Sequence, residues 1–405
     1  MAAAPQKLWS LDLASPSYGG GALGKLGDDL AIVFGTYFND EHLYAVAAKD
    51  GKLLWKFKSE GGPFDASVAL ADVDGDGALE VIAADSQTGT LFCLDGAGKE
   101  MWKHKLPSST DSPPAIADLD DDGHPEIVVG TMTVNRGPGR VIALDARTLK
   151  VKWEAEVPGH VQSEPALVDL NNDGVLDVIV TTWRGDKCVR ALSGKDGKEL
   201  WKHPMAGDMY HGVSVFRQDG IKIVATSIAG DVTLLDDKGK VIWTNKPGGY
   251  LFGPSAVVDL TGDGTPAIIV AGPKLIAYSV DGTERWQTPE YGSIARGVAH
   301  AEMDGKPTLF FGASDRKFRA AGGDGKEIWA FDATVKGHVY EGIDSGPVVG
   351  DFDGDGQLEV FFVVGKGTSD KEQRQNYGRA YCLKAGKGTD AWPMFRGNLR
   401  RTGTR

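Results

Sequence analysis

Four short segments of this 405-residue chain carry the pattern D-x-[DN]-x-D-G-x-x-[DE]. They comprise Asp72, Asp74, Asp76 and Glu80; Asp118, Asp120, Asp122 and Glu126; Asp169, Asn171, Asp173 and Asp177; and Asp351, Asp353, Asp355 and Glu359. Alternate acidic side chains around a glycine-forced bend aim their oxygens at one centre, and the final acid closes the set from the strand that follows. Hard oxygen donors in that number suit Ca²⁺. A single such segment is ordinarily a solvated Asp-Gly turn, but four in register argue for about four structural calcium ions. A fifth, Asp259, Thr261 and Asp263, has Ala267 in place of the closing acid, and the segments VFRQDGIKIV, AEMDGKPTLF and GKLGDDLAIV keep a turn without the ligands. Ligation that comes and goes between copies is expected of a staple, not of a reactive centre.

A second set of residues stands seven places before each first aspartate, with shifts where the loops are degenerate: Tyr18, Asp65, Asp111, Gln162, His211, Phe252, Arg296 and Asp344. Tyr210 and Tyr340 lie beside them, with His160, Glu164, His338 and Glu341 on the same connections. If the copies are related by pseudo-symmetry, these side chains form one ring. Acids, an Arg, His and Tyr in one concave place make a polar-ligand site, although such a rim can also be polar because it faces water. As a catalytic set, His211 or Tyr210 would serve as a base and Arg296 would neutralise a uronate.

The elements that must position both sets recur with a tryptophan. An apolar strand, a Gly/Asp-rich turn and a second strand end at Trp55, Trp102, Trp153, Trp201, Trp243, Trp286, Trp329 and Trp392, spaced by roughly 42 to 51 residues before a longer last interval. That is the period of a four-stranded propeller blade. The expected fold is all-β: a single eight-bladed β-propeller of antiparallel blades, with limits near 17–61, 62–108, 109–159, 160–208, 209–250, 251–293, 294–337 and 338–396. Trp9, in KLWSLDL, stands where an outer strand would but has no partner strand of its own, so residues 7–13 are expected to pair into the last blade and close the ring. The terminal AWPMFRGNLRRTG competes for the same edge, and a seven-bladed ring is the alternative.

These residues resemble two repeat families. The D-x-x-G-K-x-x-W hairpins and the WPMFRGNLRRTG tail are similar to the tryptophan-docking repeats of pyrroloquinoline-quinone-type and outer-membrane-assembly propellers. DVDGDGALEVI and its copies resemble the FG-GAP calcium repeat of integrin heads and bacterial secreted proteins. The resemblance implies a propeller and calcium, and says little about activity. The adjacent cysteine pair of the alcohol-oxidising quinone enzymes is absent, since Cys93, Cys188 and Cys382 are far apart in the chain.

Composition narrows the partners. With 44 Lys and Arg against 56 Asp and Glu, a formal charge of −12 and no basic run, the chain lacks the cationic face that nucleic acid requires. No stretch is long and apolar enough for a transmembrane helix, and no G-x-S-x-G, Walker, H-E-x-x-H or C-x-x-C motif occurs. Met-Ala-Ala-Ala-Pro-Gln-Lys reads as an initiator Met before a mature N-terminus left by signal cleavage, so a secreted or periplasmic location is expected. The expected function is a calcium-stabilised scaffold binding a protein or glycan at the channel mouth; the alternative is an enzyme on an extracellular polymer, polysaccharide-lyase-like, or a quinone-dependent dehydrogenase. Oligomeric state is not legible.

Overall fold

The computed structural model describes residues 4–132, 137–338, 342–392 and Asn398, apart from the side chains of 389–392. Six four-stranded antiparallel sheets follow one another along the chain. The first is Ala22–Leu26, Asp29–Gly35, His42–Ala47 and Leu53–Lys58, and the next five open at Ala69–Ala71, Ala115–Ala117, Ala166–Val168, Ser214–Arg217 and Ala256–Asp259. The remaining strands form one eight-stranded sheet. Among the described residues the only helical turn is the 3₁₀ segment Gln373–Gln375. Second strands such as Glu80–Ala84 and Glu126–Gly130 are buried throughout, whereas outer strands such as Glu100–Lys105 alternate, as sheets stacked face to face require. First strands of successive sheets lie side by side, and a parallel bridge from Gly20 to Gly346 brings the first sheet against the last segment. This is a β-propeller architecture.

The recurrent tryptophan is a docking device between sheets. Five of these indoles donate Nε1 to a carbonyl in the hairpin turn of the next sheet: Trp55 to Gly96 at 3.0 Å, Trp153 to Gly194 at 2.6 Å, Trp201 to Asp237 at 2.9 Å, Trp243 to Val280 and Trp286 to Gly323, both at 2.8 Å. The indole face covers the glycine of that turn. At Gly98, φ is +81° and an added Cβ would lie 2.5 Å from Trp55 Cδ2, so the position combines a left-handed backbone with no room for a side chain. Gly98→Ala is expected to cost about 2–4 kcal/mol in urea denaturation, while the same change at Gly123, where nothing lies within 4 Å, should cost only its backbone strain.

The last sheet departs from the sequence expectation. Trp392 does not end an outer strand like its counterparts. Tyr377–Trp392 is one 16-residue strand whose first part pairs with Gln357–Lys366 and whose last residues cross to Ala299–Met303, joining two four-stranded units into the eight-stranded sheet. Gly388 sits at the crossing, where an added Cβ would run into the Glu302 carbonyl oxygen. The outer strand of the last unit is instead Gln6–Leu13, paired with Tyr377–Trp392 from Gln6↔Lys384 to Leu13↔Gly378. Trp9 then docks as the others do, donating to the Ala48 carbonyl at 3.0 Å over Gly51. Of the terminal AWPMFRGNLRRTG, Trp392 pairs with His300 and not along the edge that Gln6–Leu13 fills, and all but Ala391, Trp392 and Asn398 lies outside the described residues. With no hairpin turn after it, Trp329 keeps a buried indole N–H without an acceptor among the described residues.

Candidate functional site

The residues predicted for the ring precede the first strands of their sheets, and three buried serines at the starts of those strands tie neighbouring sheets together. Ser112 donates to the Ser163 carbonyl at 2.8 Å, Ser214 to the Ser255 carbonyl at 2.7 Å, and Ser67 Oγ accepts from Gly20 N at 2.7 Å. Rigid inner strands thus fix the side chains just ahead of them.

Those side chains converge on Arg296. Its Nε donates to the Asp344 carbonyl at 3.1 Å, one terminal nitrogen lies 3.4 Å from His211 Nε2, and its guanidinium carbon lies 5.7 Å from the Tyr210 ring centroid. Asp65, Asp111 and Asp344 all feel its charge. Asp111 Oδ2 also accepts from Gln162 Nε2 at 2.6 Å. Three carboxyls share one guanidinium, and burial outweighs it: Asp111 and Asp344 are raised, and Asp65 is pushed up to about 8 by burial and then by the Asp111 charge. Burial, reinforced by Asp111, also raises the Tyr210 phenol. Among the described residues, Asp65 Oδ1 and Gln162 Oε1 find no hydrogen-bond donor. The place is short of donors, and a ligand bearing N–H, O–H or positive charge would satisfy it.

His211, only 5% exposed, faces Glu164 on its other side, with Nδ1 3.0 Å from Glu164 Oε1; Glu164 Oε2 accepts the Gly212 N–H at 2.8 Å. With Arg296 as donor at Nε2, the imidazole proton belongs on Nδ1, giving a neutral ring oriented by the glutamate. An aromatic shelf adjoins it. Phe252 stacks on Tyr210 with centroids 4.6 Å apart, Tyr250 stacks on Phe252 at 5.7 Å, and Trp183 meets Tyr210 edge-on at 5.6 Å. Tyr250 is 48% exposed.

Asp65, Asp111, Gln162, Tyr210, His211, Phe252, Arg296 and Asp344 thus lie near one another in the structure. Tyr18 engages a different set, donating to the Gly367 carbonyl at 3.3 Å and packing edge-on against Tyr37. His338 stacks on Tyr377 at 3.8 Å, and Tyr340 and Glu341 lie outside the described residues. The alignment missed Trp183 and Tyr250. Trp183 stands two residues past the strand Asp177–Thr181, so numbering from the second strand as well as the first would have found it.

The acidic loops lie at the opposite ends of the first strands. In the first, third and fourth, the leading aspartate caps the turn: Asp72 accepts from Gly75 and Gly77, Asp169 from Asp173 and Gly174, and Asp351 from Gly354, Asp355 and Gly356. Asp118 does the same for Asp122 and Gly123 in the second. The closing acid is buried and divided in its contacts. One oxygen of Glu80, Glu126 and Glu359 accepts at 2.8 Å from Val73, Leu119 and Phe352, respectively, and the matching Asp177 bond from Leu170 is 3.1 Å. Among the described residues, the other oxygens of Glu126 and Glu359 accept no hydrogen bond of good geometry. Ligand oxygens of Asp72, Asp74 and Glu80, of Asp118, Asp120 and Asp122, and of Asp351, Asp353 and Asp355 each gather within 4.8 Å. An all-oxygen set with a buried, under-satisfied carboxylate fits a hard cation. The Asp169 loop is less complete, because both oxygens of the shorter Asp177 accept backbone N–H groups, from Leu170 and Gly194. Asp259 forms the same capped turn without a closing acid.

The repeat family described as outer membrane protein assembly factor BamB matches residues 39–177, 121–225 and 185–392. No curated protein matches the chain. Among solved structures, a europium-containing methanol dehydrogenase is similar with a TM-score of 0.69 and 14% identity, over 94% of this chain and 93% of that one. The biofilm matrix protein Bap1 of V. cholerae also gives 0.69 at 14% identity, over 98% and 96%. BamB from Moraxella catarrhalis gives 0.51 at 15% identity, over 79% and 98%. At these identities the likeness is one of fold.

Proposed function

Because the chain belongs to the repeat family described as outer membrane protein assembly factor BamB, we propose that it is a binding and scaffold propeller working outside the cytoplasm. In this reading eight blades form a closed ring, calcium in the acidic loops staples first strands to second strands, and the mouth holds a protein or glycan. The periplasmic or extracellular setting is supported by the kinds of protein it resembles, an assembly factor and a biofilm matrix protein. Eight blades are supported by counting the eight-stranded sheet as two units sharing Tyr377–Trp392, and closure by the Trp9 dock and the Gly20 bridge.

One observation carries the functional reading: donor-poor carboxyls around Arg296 stand directly beside an aromatic shelf with a half-exposed edge. Stacking surface plus acceptors suits a sugar ring, or an aromatic or cationic side chain of a partner protein. The test compares wild type with the double variant Phe252→Ala, Asp111→Asn on an oligosaccharide array and in pull-downs from an envelope extract. Wild type should hold at least one ligand that the variant loses at least tenfold. Retention of every ligand by the variant would sink the reading.

A second reading, an enzyme on a uronate polymer, is favoured by the Glu164–His211 pair. A neutral imidazole held by a buried carboxylate can take a proton once Arg296 turns to a substrate carboxylate. Unsaturated chain ends formed from uronate polymers by wild type, and absent with His211→Ala, would support it over a binding role alone.

A further inference from the structure

The second acidic loop differs from the others in one residue that lies outside the loop motif. In the hairpin that ends each sheet, the register slips by one at the residue before the docking tryptophan. Such a bulge re-aims its side chain. In the four units whose acidic loop carries a closing acid, the bulge residues are Met101, Lys152, Leu200 and Leu8. Only one is charged.

Lys152 reaches into the loop of its own sheet. Its Nζ lies 2.6 Å from Glu126 Oε1, 2.8 Å from Asp120 Oδ2 and 3.5 Å from Asp122 Oδ2. The ammonium thus hydrogen-bonds Asp120 and Asp122 and stands within ion-pair distance of a third carboxylate, the fully buried Glu126, whose Oε1 meets it without hydrogen-bond geometry. The fourth, Asp118, is engaged by backbone N–H groups. We infer that Lys152 is the built-in cation of the second loop, which therefore takes no calcium while the first, third and fourth do.

The inference rests on the calcium reading of the other loops. An ammonium tethered to the same sheet competes at high effective concentration for the oxygens an ion would need, and an ion entering beside it would meet like charge. The fourth loop shows the contrast. Lys384 pairs there with Asp355 but stays 3.9 Å from the closing Glu359, leaving the buried carboxylate free for a metal. A lysine does for the second loop what calcium does elsewhere, without dependence on calcium supply.

Calcium titration of the chelator-stripped full-length protein tests this, with calorimetric stoichiometry and melting temperature as readouts. Lys152→Met introduces the residue found at the bulge of the preceding sheet, and Lys152→Gln serves as a second variant should Met impair folding. Wild type should bind about three ions and the variant about four, the new site binding at least tenfold more tightly than the second loop of wild type. In chelator the variant should melt below wild type, and calcium should raise its melting temperature by more than it raises that of wild type. Four ions in wild type, or three in both, would overturn the inference. No calcium bound by either protein would instead remove the calcium reading on which it rests.

Discussion

A chain lacking residues 1–13 is expected to lose stability throughout the ring, in one transition and not by fraying of a terminus. The segment supplies the outer strand Gln6–Leu13 of the last unit, and through Trp9 it supplies that unit's dock onto the first hairpin. Trp9 and Leu13 are buried in a core containing Ile32, Phe34 and Tyr44 of the first sheet and Phe361, Val363 and Cys382 of the last. Contacts from the first sheet and the last meet there, so if the ring is closed as proposed, removing them would open the array and expose the edges that closure hides. Trp9→Ala alone should cost about 3–5 kcal/mol, the range for removing a buried aromatic, and the deletion should cost more. Urea denaturation followed by tryptophan fluorescence and by far-ultraviolet dichroism should give coincident, equally shifted curves. A change confined to the last unit, with the other sheets melting as before, would contradict the closed ring.

Chelation should have the next largest effect. Each calcium site held at a hundredfold its Kd contributes about 2.7 kcal/mol, and stripping the ions also leaves closing glutamates buried against other carboxylates. Burial, with Asp74 repulsion added, pushes Glu80 up to about 7, and burial with Asp353 does the same to Glu359. Their folded-state values then lie above the ordinary glutamate value of about 4.3. The ion-free fold retains protons that the unfolded chain has released, so this contribution is fully present below that ordinary value and is lost as pH rises through about 7. Bound calcium would hold the same groups ionised in the fold, so that above the ordinary glutamate value neither state carries these protons and the slope vanishes. Melting in excess chelator should therefore fall between pH 5 and 8, while melting in excess calcium should not. Equal curves with and without chelator would remove calcium from the account.

Much of this was legible because it is local. The tryptophan phrase encodes a hairpin and its dock within a dozen residues, and each acidic loop closes within nine, so spacing alone located both. The ring of residues ahead of the first strands was legible for the same reason, since repeats place equivalent positions together. What escaped depends on partners remote in sequence. The Gly-Lys-Gly of 386–388 looks like another hairpin turn, yet there the chain runs on as a strand into the preceding unit, because Gln6–Leu13 already fills the outer edge. Trp183 stands outside the register used for alignment, and Lys152 acts on a loop 26 residues upstream of it through a bulge that no motif describes.

The central claim is that the mouth around Arg296 is where this propeller meets its ligand. A crystal structure of the calcium-loaded protein soaked with the oligosaccharide that binds most tightly on the array tests it most directly. The account predicts a sugar ring against the Phe252 and Tyr250 faces, with hydroxyl or amino groups on Asp65, Asp111 or Gln162. A sugar bound on the outer strands, with the mouth holding only water, would contradict it.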